Sequence, residues 1–197
     1  MPRIITGLFK GKLLETPEGW EVRPTSDRVR TSVFNILHSW LPGKTVLDLY
    51  AGCGAIGLEC LSRGAKRVTF VERAPEALRV LEANAKRLGA LDNATIWRAD
   101  VWDVLKSGKG SPVDLIYADP PYREVDMERL LSSIDASSFA NDDTIVIIEH
   151  DYTVKCEKGT EIASWRCYRT NDYGKAQVSL FGRISSFSQE EEENEKQ

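Results

Sequence analysis

Several features that would place a chain in a class at first sight are missing from this sequence. It has no apolar run of membrane-spanning length, and Met1-Pro2-Arg3 leads directly into a strand-like segment rather than a leader with an apolar centre. No internal repeat is visible. The 197 residues, 42% of them hydrophobic and 28% charged, are enough for one sizeable core. We therefore expect a cytoplasmic protein, and nothing in the chain demands more than a monomer.

Metal-binding side chains are also scarce. The chain has two histidines, and its four cysteines form no Cys-x-x-Cys pair and have no nearby histidine partner. These cysteines are Cys53, Cys60, Cys156 and Cys167. We predict reduced thiols and no metal site.

An excess of positive charge, the usual mark of a nucleic-acid-binding protein, is absent as well. The formal net charge is −4, but residues 188–197 alone carry five glutamates and one lysine. The rest of the chain therefore balances 25 cationic against 25 acidic side chains. This pattern predicts a neutral body followed by a disordered acidic tail over residues 188–197.

The most informative stretch that the sequence does contain is TVLDLYAGCGAIG, residues 45–57. Its apolar run predicts a buried strand, and Gly52, Gly54 and Gly57 follow in the G-x-G-x-x-G spacing that turns a strand into a helix beside a nucleotide. Asp48 lies inside the strand end, where an acid suits the sulfonium and ammonium of S-adenosylmethionine better than a pyrophosphate. The loop therefore favours S-adenosylmethionine over a nicotinamide or flavin dinucleotide, which the glycine spacing alone also permits.

Two further acids follow predicted strands. Glu72 ends the strand at residues 67–71, and Asp100 comes after the strand at residues 94–98. The carboxyl ends of parallel strands meet at one edge of an open α/β sheet, where such folds bind ligands. We predict that Glu72 accepts from the ribose hydroxyls and Asp100 from the adenine amino group, although each acid could simply cap the following helix. The other residues assigned to the cofactor site are Tyr50, Ala51, Arg73, Val101 and Asp119.

A fourth predicted strand, residues 113–118, delivers Asp119-Pro120-Pro121-Tyr122 to the same edge. The exocyclic amine of a nucleobase is a poor nucleophile because its lone pair is delocalised into the ring. Two acceptors that hold its hydrogens from one side favour a pyramidal nitrogen, whose lone pair can attack a methyl group. Asp119 and the carbonyl of Pro120 can be those acceptors, Pro121 stiffens the segment, and Tyr122 offers a stacking face for a flipped-out base. We predict all four as catalytic; a proline-rich turn without chemistry is the alternative.

The remaining segments predict an α/β domain with extensions. Residues 3–14 alternate short apolar stretches with glycines and predict a small β-hairpin, and a helix begins near Thr25 or Ser26. Beyond a fifth strand at residues 144–149, two alternating segments, residues 161–171 and 176–184, predict an antiparallel hairpin that finishes the sheet. The predicted division is an N-terminal hairpin extension over residues 1–24, a Rossmann-like domain over residues 25–187 and the acidic tail.

Cationic side chains cluster in the first thirty residues. Arg3, Lys10 and Lys12 in the predicted hairpin suit phosphates, and Arg28 and Arg30 on the first helix suit the substrate backbone. Surface ion pairs of little energetic consequence are the alternative.

Taken together, these motifs resemble the RsmD family of bacterial-type 16S ribosomal RNA guanine-N2 methyltransferases. The similarity extends from about residue 3 to residue 184. Its most specific part is Arg-Pro-Thr-Ser-Asp-Arg-Val-Arg at residues 23–30, because the glycine loop and Asp-Pro-Pro-Tyr are shared by many amino-methyltransferases. Arg3-Ile4-Ile5, Gly11-Lys12 and Phe34-Asn35 also contribute.

The resemblance implies a class I methyltransferase fold, with a seven-stranded, mostly parallel sheet, antiparallel last strands and a small N-terminal hairpin that helps to hold RNA. It also implies a substrate of 16S-type ribosomal RNA within an assembled or assembling 30S subunit. The implied phosphate-facing patch consists of Arg3, Lys10, Lys12, Arg23, Arg28 and Arg30.

Three other functions stay open at this point. A DNA adenine-N6 or cytosine-N4 methyltransferase would use the same acceptor chemistry, although the chain has no second domain large enough to read a DNA sequence. A non-catalytic RNA-binding assembly factor would keep the fold without the chemistry. A dinucleotide-dependent oxidoreductase would rest on Gly52, Gly54 and Gly57 alone.

Overall fold

The computed structural model describes residues 1–19, 24–121 and 126–185 of the chain. Helices and strands alternate along most of this length. The helices are α1 (Pro24–Ile36), α2 (Ala55–Ser62), α3 (Pro75–Leu88), α4 (Val101–Lys106) and α5 (Met127–Asp135). The strands are β1 (Thr45–Leu49), β2 (Arg67–Glu72), β3 (Ala94–Arg98), β4 (Leu115–Ala118), β5 (Ile145–Asp151), β6 (Glu161–Ile162), β7 (Trp165–Tyr173) and β8 (Ala176–Arg183).

All eight strands form one sheet, in the order β3-β2-β1-β4-β5-β8-β7-β6. The first five run parallel to one another, and β8, β7 and β6 extend the sheet in antiparallel fashion. The chain order reverses between β1 and β4, which is the point where doubly wound sheets open a ligand crevice. The predicted α/β fold with an antiparallel end is confirmed.

The sheet has one strand more than the seven expected. The sequence predicts a single strand over residues 161–171, but Ala163 has a φ of 52° and turns the chain after Ile162. The two residues before the turn pair back on Trp165 and Arg166 as the short edge strand β6. One left-handed residue therefore splits the predicted strand in two.

Helices cover both faces of the sheet, as a parallel sheet requires. Alternate residues of the central strands, such as Val46 and Tyr117, pack with α1, α2 and α3 on one face. The intervening residues, such as Leu47 and Ile116, pack with α4 and α5 on the other face. Asp48 belongs to the first face, because the sheet register places it beside Tyr117.

The N-terminal segment, residues 1–14, contains a short antiparallel hairpin. Arg3 and Leu13 form an isolated bridge, and backbone bonds flank it: Ile4 N–H donates to the Lys12 carbonyl at 2.9 Å and Leu14 N–H to the Pro2 carbonyl at 2.8 Å.

Two further amides of this segment bond to α2. Ile5 N–H and Thr6 N–H donate to the two carboxylate oxygens of Glu59 at 2.6 and 3.0 Å. The short hairpin is therefore held to the domain by a side chain from α2.

Within the described ranges, no helix is both long and apolar enough to cross a membrane. The same ranges contain no cluster of three or more histidine, cysteine or acidic side chains arranged to hold a metal ion. Arg23, Tyr122 and the tail at residues 188–197 lie outside the described residues, so their predicted roles stay predictions.

Candidate active site

The chain turns sharply where β1 ends. Tyr50, Gly52 and Gly54 all have positive φ values, of 61°, 56° and 84°. The left-handed conformation suits glycine and explains two of the three predicted loop glycines. Helix α2 begins directly afterwards at Ala55, so the predicted strand-to-helix turn is present at residues 50–54.

Gly57 serves a different purpose. A Cβ atom built on it would lie 2.2 Å from Cε1 of Phe70 in β2. Because only a hydrogen fits there, Gly57 lets α2 lie directly against the sheet. This close helix packing fixes the position of the turn that precedes α2.

Asp48 supports the turn from beneath. Its side chain is buried, at 2% exposure, and Gly57 N–H donates to its Oδ2 atom at 2.9 Å. Burial raises the pKa of Asp48 to about 7, against the lowering effect of the Gly57 amide, and the charge of Glu72 raises it further. Asp48 lies beside the turn, but in this structure its carboxylate accepts from the backbone at the start of α2 and does not lie open to a ligand.

Glu72 closes the next strand and is tied to the same turn. Gly52 N–H donates to Oε2 at 2.9 Å, and the amides of Arg73 and Ala74 donate to Oε1 at 2.8 Å each. These three bonds occupy most of the roughly four lone pairs of a carboxylate. To accept from both ribose hydroxyls, as predicted from the sequence, Glu72 would have to release one backbone amide.

Asp100 directly precedes α4, and it caps that helix, as the alternative from the sequence predicts. Trp102 N–H donates to Oδ1 at 2.9 Å, and Arg73 Nη1 donates to Oδ2 at 3.0 Å. The ion pair joins the ends of β2 and β3, and Arg73 is largely exposed. Val101, the first residue of α4, is buried. The two carboxylate oxygens still have acceptor capacity for a further donor such as an adenine amino group.

The segment after β4 leaves the sheet beside the glycine turn. Ala118 is in register with Leu49, so Asp119 follows β4 at the level where Tyr50 and Ala51 follow β1. Asp119 is exposed and Pro120 is buried, with Pro121 exposed again. The structure thus brings the glycine motif and the segment that begins at Asp119 together at the ends of β1 and β4. At least 62 residues separate the two motifs in the sequence.

Two functional candidates at this edge were not predicted from the sequence. The hydroxyl of Tyr117 donates to Oε2 of Glu149 at 3.1 Å, and both side chains are buried. Burial is the largest cause that raises the pKa of Tyr117 well above its usual range. The negative charges of Glu149, Asp119 and Asp48 raise it further. Tyr117 therefore stays a hydrogen-bond donor among these acids. In the sequence, the only indication of a functional role for these two residues was a polar residue at a buried strand position.

The predicted cationic patch is largely but not fully exposed. Arg3, Lys10, Lys12 and Arg28 are exposed. The prediction that Arg30 belongs to the same surface is wrong: its side chain is 3% exposed, and Nη2 donates to the carbonyl of Arg3 at 2.9 Å. Arg30 joins α1 to the N-terminal segment and does not point into solvent.

The comparisons with known proteins identify the family. The family model described as "Conserved hypothetical protein 95" matches residues 2–182. Ribosomal RNA small subunit methyltransferase D of Escherichia coli is 32% identical over 181 residues, covering 92% of this chain and 89% of that protein. The chain belongs to the RsmD family.

A second curated relative and a solved structure are also similar to this chain. Ribosomal RNA small subunit methyltransferase D of Haemophilus influenzae is 31% identical over 179 residues, covering 85% of this chain and 93% of that protein. The solved structure of the Escherichia coli protein yhhF superimposes with a TM-score of 0.82 at 31% identity, covering 92% of this chain and 97% of that chain. The class I methyltransferase fold is therefore confirmed, as is the family predicted from the motifs.

Proposed function

We propose that this protein transfers the methyl group of S-adenosylmethionine to the exocyclic N2 amine of a guanine in small-subunit ribosomal RNA. We further propose that it acts in the cytoplasm, on an assembled or assembling 30S particle. The observation that carries this proposal is the register of Leu49 with Ala118, which sets the glycine turn beside Asp119-Pro120. The names of the Escherichia coli and Haemophilus influenzae relatives support the choice of RNA.

The residues at the turn fit such a cofactor. The left-handed backbone at Gly52 and Gly54 allows close approach of a ligand, while the ends of β2 and β3 present the acids Glu72 and Asp100. We assign the methionine portion to residues 50–54, the ribose to Glu72 and the adenine to Asp100 with Arg73 and Val101. When bound, S-adenosylmethionine supplies a methyl group on a sulfonium, and the sulfur keeps the bonding pair as the methyl leaves.

The chain itself supplies orientation and acceptors. We assign one N2 hydrogen of the guanine to Asp119 and the other to the carbonyl of Pro120, which has no amide hydrogen to repel the amine. Held in this way, the nitrogen directs its lone pair at the methyl carbon and forms the new N–C bond. Asp119, which is exposed, or water then takes the proton that the methylated nitrogen sheds. Tyr122 is assigned to stacking on the base, as predicted from the sequence.

The RNA side of the proposal uses the exposed cations near the N-terminus. Arg3, Lys10, Lys12 and Arg28 are exposed on the face of the molecule that carries α1 and the N-terminal segment. Phosphate contacts from such residues position an RNA without specifying its sequence. Arg23, which lies outside the described residues, is assigned to phosphate binding as well.

Methyl transfer from labelled S-adenosylmethionine tests the proposal directly. We expect incorporation into 30S particles that lack their native methylation, and none into duplex DNA. Asp119→Ala should reduce the rate roughly a hundredfold or more, because it removes an acceptor that acts in the transition state. Its affinity for S-adenosylhomocysteine, measured by calorimetry, should change much less.

Other outcomes identify the competing functions. Transfer to duplex DNA in preference to particles would favour a DNA amino-methyltransferase. Binding of the particle without any methyl transfer would favour a non-catalytic assembly factor. Binding of NADH in place of S-adenosylhomocysteine would favour an oxidoreductase.

A further inference from the structure

We propose that Glu149 reads the Watson–Crick edge of the target guanine, with Tyr117 as the residue that positions its carboxylate. This assignment rests on the proposed function and extends it, because it names the group that selects guanine. It is carried by the placement of Glu149 beside Asp119 and by the hydrogen bond that Glu149 accepts from Tyr117.

The sheet register places Glu149 next to the acceptor segment. Ala118 of β4 pairs with Ile148 of β5 in parallel, so the following residues, Asp119 and Glu149, leave that pair side by side. Neighbouring strands lie about 4.8 Å apart, which is less than the width of a purine. A base held by Asp119 through its amine therefore has Glu149 within reach of its adjacent edge.

The carboxylate of Glu149 is directed by its sheet face and by Tyr117. Tyr117 pairs with Ile147, and Glu149 lies two residues further along β5, so both side chains lie on the same face of the sheet. The Tyr117 hydroxyl donates to Oε2 of Glu149 at 3.1 Å. Glu149 is 9% exposed, so the carboxylate is sheltered from bulk water and its interactions with a donor are strengthened.

The chemistry of this edge distinguishes guanine from the other amine-bearing bases. Guanine presents N1–H next to its N2 amine, so every hydrogen-bonding group facing the two acids Asp119 and Glu149 is a donor. Adenine presents a bare N1 lone pair next to its N6 amine, and cytosine presents a bare N3 lone pair next to its N4 amine. A carboxylate facing such a lone pair has no hydrogen bond and is repelled. Glu149 thus favours guanine through N1–H, the position next to the reacting amine.

The test compares guanine with 2-aminopurine, which carries the same C2 amine but a bare N1. After the methylated nucleotide has been mapped, 30S particles are reconstituted with either base at that position, and kcat/KM for methyl transfer is measured. We expect the wild-type protein to prefer guanine by at least roughly tenfold, because a site built around a substrate N–H rejects an analogue without it. In Glu149→Gln the carboxamide can donate to the bare N1, so the preference should fall roughly tenfold.

A matched control comes from the same strand. Asp151→Asn also removes one carboxylate charge from the end of β5, but Asp151 accepts from Thr153 and not from Tyr117. Its preference for guanine should equal that of the wild type. An equal loss of preference in Asp151→Asn and Glu149→Gln would overturn the assignment, since it would indicate a general charge effect.

A second variant distinguishes the proposed role in guanine recognition from a merely structural effect. Tyr117→Phe keeps the ring in the core and removes the hydroxyl, so it should lower the preference for guanine while leaving S-adenosylhomocysteine binding intact. Reduced turnover with an unchanged preference in both Glu149→Gln and Tyr117→Phe would assign the pair to folding alone and overturn the proposal. Failure of the wild type to methylate guanine N2 would instead overturn the proposed function, and this inference with it.

Discussion

Asp48 carries an electrostatic cost that depends on pH. Its pKa is raised from 3.8 to about 7 because the carboxylate is buried beneath the glycine turn. Between these two values the folded protein holds a proton that the unfolded chain has released, so stability falls as pH rises through this window. The stabilisation that this bound proton gives the folded protein is fully present below pH 4 and is lost above pH 7.

Replacement of Asp48 by asparagine should remove this dependence. The amide oxygen can still accept from Gly57 N–H, and no charge is buried at high pH. As pH rises from 5 to 8, the unfolding free energy of Asp48→Asn should increase by about 2 kcal/mol relative to that of the wild type. Over the lower part of that range the difference should grow by roughly 1.4 kcal/mol per pH unit. Urea unfolding of both proteins at the two pH values measures the difference. Parallel pH profiles would contradict the account.

Gly57 is required by packing, and its cost can be isolated. Gly57→Ala should lower the unfolding free energy by about 1–3 kcal/mol, because the new Cβ meets the Phe70 ring. In a Phe70→Leu background the same substitution should cost about 1 kcal/mol less, since part of the obstructing ring is gone. A double-mutant cycle by chemical denaturation measures this coupling. Strict additivity would indicate that the cost arises from the helix backbone and not from the contact with β2.

At the scale of elements, Glu59 links α2 to the N-terminal segment. Its side chain is fully buried, accepts from Ile5 N–H and Thr6 N–H, and pairs with Arg63 at 2.7 Å. Arg63 is itself 7% exposed and lies over the Phe34 ring. Removal of one partner from such a buried pair leaves the other charge without compensation.

Glu59→Ala should therefore be severely destabilising, by about 3 kcal/mol or more. Amide hydrogen exchange at Ile5 and Thr6 should accelerate along with the loss of stability. Glu15→Ala is the matched control, because Glu15 pairs with Arg87 at the same distance but both side chains are 43–50% exposed. The control should cost less than about 1 kcal/mol. Similar losses in the two variants would contradict the role assigned to Glu59.

Elements that depend on local sequence signals could be predicted, and elements that depend on distant partners could not. The glycine turn, β1 to β5 and α3 were predictable because hydrophobic period, glycine spacing and capping are local signals. The attachment of the N-terminal hairpin could not be predicted, because the carboxylate that accepts from Ile5 N–H and Thr6 N–H belongs to Glu59, more than fifty residues away. Helices α4 and α5 are short and were not predicted, although Asp126 caps α5 by accepting from Arg129 N–H.

Some residues of the candidate site could likewise be predicted from local sequence, and others could not. Asp119 and the glycines follow strand ends and carry their own sequence pattern. Glu149 lies near the end of β5, but its partner Tyr117 lies 32 residues earlier, and only the pairing of β4 with β5 brings the two together. Arg30 was misassigned for the corresponding reason, since the carbonyl that it contacts belongs to Arg3.

At the scale of the whole molecule, RNA affinity should depend on the exposed cations of the N-terminal segment. Combined replacement of Lys10 and Lys12 by glutamine should weaken binding to the particle and reduce the salt slope of log K by roughly one for each phosphate that is no longer neutralised. Lys106→Gln is the control, because Lys106 is exposed on α4, which packs on the opposite face of the sheet. Filter binding over a range of salt concentrations gives the slopes. Equal slopes in all three proteins would place the RNA elsewhere.

We propose that the glycine turn and Asp119-Pro120 together direct a methyl group onto a guanine amine. Nucleoside mass spectrometry of 16S-type ribosomal RNA, after reaction of unmethylated 30S particles with S-adenosylmethionine, tests it most directly. We expect N2-methylguanosine at a single position with the wild-type protein and almost none with Asp119→Ala. A methyl group on any other base or atom, or equal product from the two proteins, would contradict it.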